Sequence, residues 1–230
     1  MDIYDISVKY FRGIEILPTL NCGSLNSYVG KNDAGKSNIL KALDAFFNDT
    51  FTINDINKNM PEGEVTEIKI RFTPRFTMHP LALDLDGKLS LIKRFTINQT
   101  GKIIKEMLYE CNDILSDDIG DCFSANEAGL NSMLRRAGID FSKSGRGVTN
   151  FSKIESLSDD SGIDERRLKI YPAADFLKNL TKYYEDFAIP TYLLFDAEQD
   201  LNVGSTDFQK QFKPIATNSI ERNNALTEQI

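Results

Sequence analysis

The chain has 230 residues, 41% of them apolar and 27% charged, with a formal charge of −7. That is ordinary globular usage and enough for one large domain or two small ones, which excludes wholesale disorder. It has no run of eighteen apolar residues, no basic and apolar leader after Met1, and only Cys22, Cys111 and Cys122; a spanning helix, a secretory signal and a disulfide framework are therefore not expected, and a cytoplasmic, reducing setting is. His79 is the only histidine, so chemistry needing two imidazoles is excluded within the chain. Its Met78-His79-Pro80-Leu81 context reads as a surface loop.

Along the chain, Ile6, Val8 and Tyr10 alternate with polar residues as in a strand, and Ile14 and Ile16 suggest a partner after an Arg12-Gly13 turn. Leu25–Val29 reads as a short strand before a Gly-rich loop. Ile39, Leu40, Leu43, Phe46 and Phe47 then mark a helix. Residues 64–73, Leu89–Phe95 and Ile103–Tyr109 alternate again and predict an antiparallel sheet. Ser124 and Glu127 predict a helix start, with the helix running over 125–137 to Gly138. Residues 140–165, rich in Ser, Gly and Asp, read as a loop, Pro172–Phe187 as a helix, and Thr191–Phe195 as a strand. The polar, helix-permissive stretch from Asn218 to Ile230 ends without a stop signal, which suggests one lobe of something longer.

Gly30-Lys31-Asn32-Asp33-Ala34-Gly35-Lys36-Ser37 fits the phosphate-binding pattern G-x-x-x-x-G-K-[ST]. The two glycines let the backbone turn tightly close to phosphate oxygens, and successive amides form an anion nest. The following helix directs its positive end at the phosphates. Lys36 would reach the β and γ phosphates of ATP, and the Ser37 hydroxyl would ligate Mg²⁺. A four-position match arises by chance in about 1% of chains this long, and here the strand-before, helix-after context accompanies it.

The run Ile6–Ile14 with Phe11-Arg12-Gly13, followed by Tyr28–Leu43 with its Gly30–Asn38 core, resembles the opening of ABC-type ATPase heads of the SMC, RecF and OLD groups. There the pattern is an "NFRG"-like turn followed by "GxNxxGKSNxLxAL". The resemblance covers residues 3–47 closely and 64–109 loosely. It implies an α/β P-loop NTPase: an ABC-type head lobe with a mixed β-sheet around the P-loop helix, an antiparallel β subdomain and a helical insertion. The expected divisions are 1–110 for the ATPase lobe, 111–187 for a helical and loop insertion, and 188–230 for a return strand and the start of an arm. It also implies that Arg12 lies near the nucleotide, although a solvated turn arginine is the plainer reading, that Asn32 and Asp33 belong to the loop wrapping it, and that Asn38 is among the nucleotide-binding residues.

Tyr192-Leu193-Leu194-Phe195-Asp196-Ala197-Glu198-Gln199 reads three ways. As a Q-loop, Gln199 would sense Mg²⁺ and the attacking water. As a Walker B strand, Asp196 would hold Mg²⁺ and Glu198 would polarise water, with Ala197 breaking the usual adjacent pair. Or it is a structural strand end. No LSGGQ signature is present. Leu157–Gly162 imitates it poorly, with acidic residues where phosphate must approach, and His79 lies too early for a switch histidine.

The family's heads close face to face around ATP, so the implied partners are a second head, a C-terminal lobe outside this sequence, DNA, and a nuclease or other effector, with no membrane. The implied roles are DNA repair or anti-phage defence. Hydrolysis by this chain alone is expected to be slow or absent. The competing readings are a self-contained P-loop phosphotransferase using Asp196 as its metal-binding acid, and a nucleotide-binding regulatory module without turnover. Residues 135–153 carry five basic residues against Asp140 alone. They are either a solvated loop or a DNA-facing segment built on Arg135, Arg136, Lys143, Arg146 and Lys153.

Overall fold

The computed structural model describes residues 1–23, 26, 35–116, 118–141, 149–192 and 194. The chain divides into two compact units, Met1–Pro190 and Thr191–Ile230. In the second, Thr191, Tyr192 and Leu194 are described.

The first unit is built on one six-stranded sheet: β1 (Asp2–Phe11), β2 (Ile14–Asn21), β3 (Thr66–Thr73), β4 (Leu89–Ile97), β5 (Ile103–Ile114) and β6 (Arg166–Pro172). The order is β2-β1-β3-β4-β5-β6, and every pair is antiparallel. The expected hairpins and meander thus form one continuous layer. β5 continues past residue 110, and β6, from within 111–187, adds to the same sheet. The strand expected over Leu25–Val29 lies, apart from Asn26, outside the described residues, and so does the end of Thr191–Phe195.

The alternating pattern sorts the two faces. On one face Ile6, Val8, Ile68, Ile70, Phe72, Leu89 and Leu91 are fully buried. On this side lies α1 (Lys36–Asn48), with Ala42, Leu43, Ala45 and Phe46 buried. Phe47 meets Phe72 edge-on at 6.3 Å, and beside them Phe51 stacks on Phe95 at 3.9 Å. The opposite face is charged. Lys9, Glu67, Arg94 and Glu106 stand in one row across four strands, alternating in sign, and Arg71 bridges Asp5 at 2.6 Å and Asp86 at 2.5 Å. On this face a hollow of about 490 Å³ draws lining residues from all six strands, from Ile16 of β2 to Ile170 of β6.

Among the described residues there are three further helices, α2 (Glu127–Arg136), α3 (Asn150–Asp160) and α4 (Ala174–Tyr183); α2 packs against α3, and α4 against β5. Several expectations need correcting. Helix α2 is capped by Asn126, whose side chain accepts from the Gly129 amide at 2.9 Å, whereas the Ser124 hydroxyl bonds the Tyr109 hydroxyl. The loop expected over 140–165 contains α3, started by a Thr149–Ser152 capping box and buried through Ile154 and Leu157; the LSGGQ-like residues Leu157–Asp160 are its last turn. Strand β6 occupies Arg166–Pro172, so the helix expected from Pro172 begins at Ala174. His79 is half-buried rather than a surface residue. Its Nδ1 accepts from the Leu81 amide at 3.2 Å, its ring lies against Phe123 and Phe151, and burial depresses its pKa, opposed in part by Asp159 and Glu155. Lys153 is buried and paired with Glu127 at 3.0 Å, which removes it from any surface for DNA.

Candidate functional site

The turn that joins β1 to β2 is strained. Tyr10 (φ 53°) and Arg12 (φ 50°) both adopt left-handed backbone, at a cost of roughly 1–3 kcal/mol each for residues with a side chain. The neighbouring chain over-determines that geometry. The Tyr10 carbonyl accepts from the Thr66 hydroxyl at 2.8 Å and the Asn57 amide at 3.0 Å. The Arg12 amide donates to the Asp55 carbonyl at 2.7 Å, and the Arg12 carbonyl accepts from Asn57 Nδ2 at 2.7 Å. Arg12 Nε donates to Asp55 Oδ1 at 2.6 Å.

Asp55 ends a 3₁₀ turn, Ile53–Asp55, and is 5% exposed. Its Oδ2 accepts from the Thr52 amide at 2.7 Å and the Thr52 hydroxyl at 2.8 Å. Burial alone would raise its pKa. The Thr52 amide and Arg12 outweigh that, and the carboxyl sits below the usual range. Asp55 and Asn57 escaped the sequence reading; the one signal was the spacing Thr52-x-x-Asp55, which resembles a capping box.

The turn also touches α1. A Cβ added at Gly13 would lie 3.1 Å from Asn38 Nδ2, so a glycine permits the close approach of the turn to the first turn of the helix. At the helix start Gly35 takes left-handed backbone (φ 79°, ψ 4°), no side chain caps the helix, and its first turn holds no acidic residue. Lys36 and Ser37 follow. An acid-free N-terminus with no side-chain cap, preceded by glycine, suits a phosphate group, because amides of the first helical turn have no carbonyl four residues back within the helix. The structure therefore brings Arg12, Gly13, Gly35, Lys36, Ser37 and Asn38 to one end of α1. Gly30, Lys31, Asn32, Asp33 and Ala34 lie outside the described residues, as do Asp196, Glu198 and Gln199. Among the described residues no cluster of three His, Cys, Asp or Glu side chains could hold a metal.

A family model for the AAA ATPase domain matches residues 1–227. The chain belongs to that family. Nucleotide binding through a P-loop in an α/β NTPase follows from membership, and hydrolysis of ATP, usually with Mg²⁺, is the family's activity. No curated protein matches the chain significantly. No helix among the described residues of this AAA ATPase domain is long and apolar enough to cross a membrane. In the described residues of this domain, the β1–β2 turn and the start of α1 meet where Gly13 faces Asn38.

Proposed function

We propose that this AAA ATPase domain is an ATP-binding head of the SMC, RecF and OLD type, which pairs with a second head on ATP and couples hydrolysis to DNA sensing or processing in repair or anti-phage defence. The observation that supports this subgroup is the packing of the Arg12-Gly13 turn against Asn38. In such a site Lys36 and the α1 amides bind the β and γ phosphates, and Arg12 adds a second cation from the sheet side. The Ser37 hydroxyl holds Mg²⁺, which when bound neutralises developing phosphate charge. Asp196, Glu198 and Gln199 are the candidates for orienting the metal and the attacking water. Arg135 and Arg136, exposed at the end of α2, with Lys143 and Arg146, are the candidate DNA contacts.

The test is nucleotide titration of the full chain. Lys36→Ala should abolish MgATP binding with the melting temperature retained, because the side chain serves phosphate and not packing. Ser37→Ala should weaken the Mg²⁺ dependence more than the nucleotide affinity. Gel filtration with and without MgATP should show pairing of heads. An unchanged Kd in Lys36→Ala would overturn the P-loop assignment.

A further inference from the structure

The residues 53–57 hold Arg12 at three points: its amide, its carbonyl and its Nε. Two backbone bonds are enough to fix a turn. The third bond fixes the side chain, and it does so through Nε alone, while Nη1 and Nη2 bond no described residue. The Asp55 carboxylate is almost closed off, with 7% of its side chain exposed against 36% for Arg12, and its other oxygen is occupied by Thr52. Asp55 is therefore anchored from behind and presents one oxygen to one nitrogen of the guanidinium.

We infer that Asp55 is a positioning residue for ATP binding: it holds Arg12 through Nε so that the Nη1–Nη2 edge meets a phosphate group at the start of α1. The inference rests on the nucleotide reading above. Two effects compete in such an arrangement. The carboxylate offsets part of the cation's attraction for phosphate. Against this, a free arginine loses rotamer freedom when it is fixed on a ligand, and here much of that freedom is already lost in the unliganded protein. Guanidinium–phosphate bonding depends on the planar fork, so orientation dominates.

Asp55→Asn separates the two jobs of this side chain. An amide oxygen can still accept from Thr52, but the amide NH₂ then faces Arg12 Nε, donor against donor, and releases the arginine. Isothermal titration with MgATP is run on the full-length wild type, Lys36→Ala, Asp55→Asn, Arg12→Ala and the Arg12→Ala/Asp55→Asn double variant, with melting temperatures alongside. Asp55→Asn should weaken MgATP binding by on the order of tenfold and leave the melting temperature within a few degrees of wild type. In the Arg12→Ala background the same substitution should cost nothing further. Wild-type affinity in Asp55→Asn overturns the assignment. So does an equal loss with and without Arg12, which would mean that Asp55 acts through the fold. Binding retained by Lys36→Ala overturns the nucleotide reading itself and this assignment with it. A second measurement needs no variant: in the nucleotide-free wild type, the Arg12 Nε–H should be protected from solvent exchange in ¹⁵N spectra, and an unprotected signal overturns the pre-set arginine.

Discussion

Asp121 adopts left-handed backbone (φ 50°) beside β5. It accepts from the Tyr109 hydroxyl, and its own amide donates at 2.7 Å to Asp113, which also accepts from the Tyr171 hydroxyl at 2.6 Å. Burial pushes the Asp121 carboxyl up to about 6, the Tyr109 and Ser124 hydrogen bonds oppose the rise, and the nearby Asp113 charge adds to it. An acid with a raised folded pKa keeps its proton in the native state while the unfolded chain loses it. Its contribution to stability is thus full below about pH 4 and is lost as pH rises through about 6. Asp121→Asn should remove this slope and raise the melting temperature at pH 7 by roughly a few degrees, with no gain at pH 4. Asn also tolerates left-handed backbone. Thermal melts across pH 4–8 check this, and a variant less stable than wild type at pH 7 would show that the ionised carboxylate is needed. None of this was legible in the sequence, because Tyr109, Asp113 and Asp121 meet only once β5 has folded against the segment that follows it. The place of Gly35, Lys36 and Ser37 at the start of a helix was legible, since it follows from local spacing alone.

The helix that follows the P-loop is pinned at its far end by the sheet. Lys93 on β4 is buried, its Nζ donates to the Phe46 carbonyl in the last turn of α1 at 2.7 Å, and it pairs with Asp49 at 2.5 Å. A cation at a helix C-terminus is favourable in itself, and here it also satisfies a carbonyl that has no partner within the helix. Lys93→Met keeps the bulk and removes the donor. It should destabilise the protein by about 1–3 kcal/mol, seen as a lower urea midpoint with an unchanged m-value; an unchanged midpoint would mean that water replaces the lysine at no cost. Elements with a strong period, α1 and β3 to β5, were readable because packing and propensity agree in them. Helix α3 and β6 were not. In α3 the apolar positions Ile154 and Leu157 are diluted by Ser and Asp, and β6 is a strand of seven residues whose Leu168 and Ile170 are exposed and set among charged residues.

At the scale of the whole chain the charge of −7 opposes nucleic acid, so any duplex contact must be local. Lys153 is withdrawn into the helical region, Arg135 and Arg136 are exposed, and Lys143 and Arg146 lie outside the described residues. Replacing Arg135, Arg136, Lys143 and Arg146 by Ala should flatten the salt dependence of duplex binding, measured with MgATP present, by about 3–4 in log–log slope and leave nucleotide affinity unchanged. Equal slopes would place the contact elsewhere. The topology carries a separate consequence. β1 and β3 are hydrogen-bonded neighbours from Asp2↔Thr73 to Lys9↔Glu67, yet everything between them in the chain, from β2 on the other side of β1 through the P-loop and α1 to the Asp55 turn, is one excursion closed by that pairing. The entropy of closing such an excursion grows only logarithmically, by about 0.6 kcal/mol for each doubling of its length. The ladders are accordingly almost indifferent to the length of that segment, and a ligand that reorders it works against local contacts rather than against the sheet.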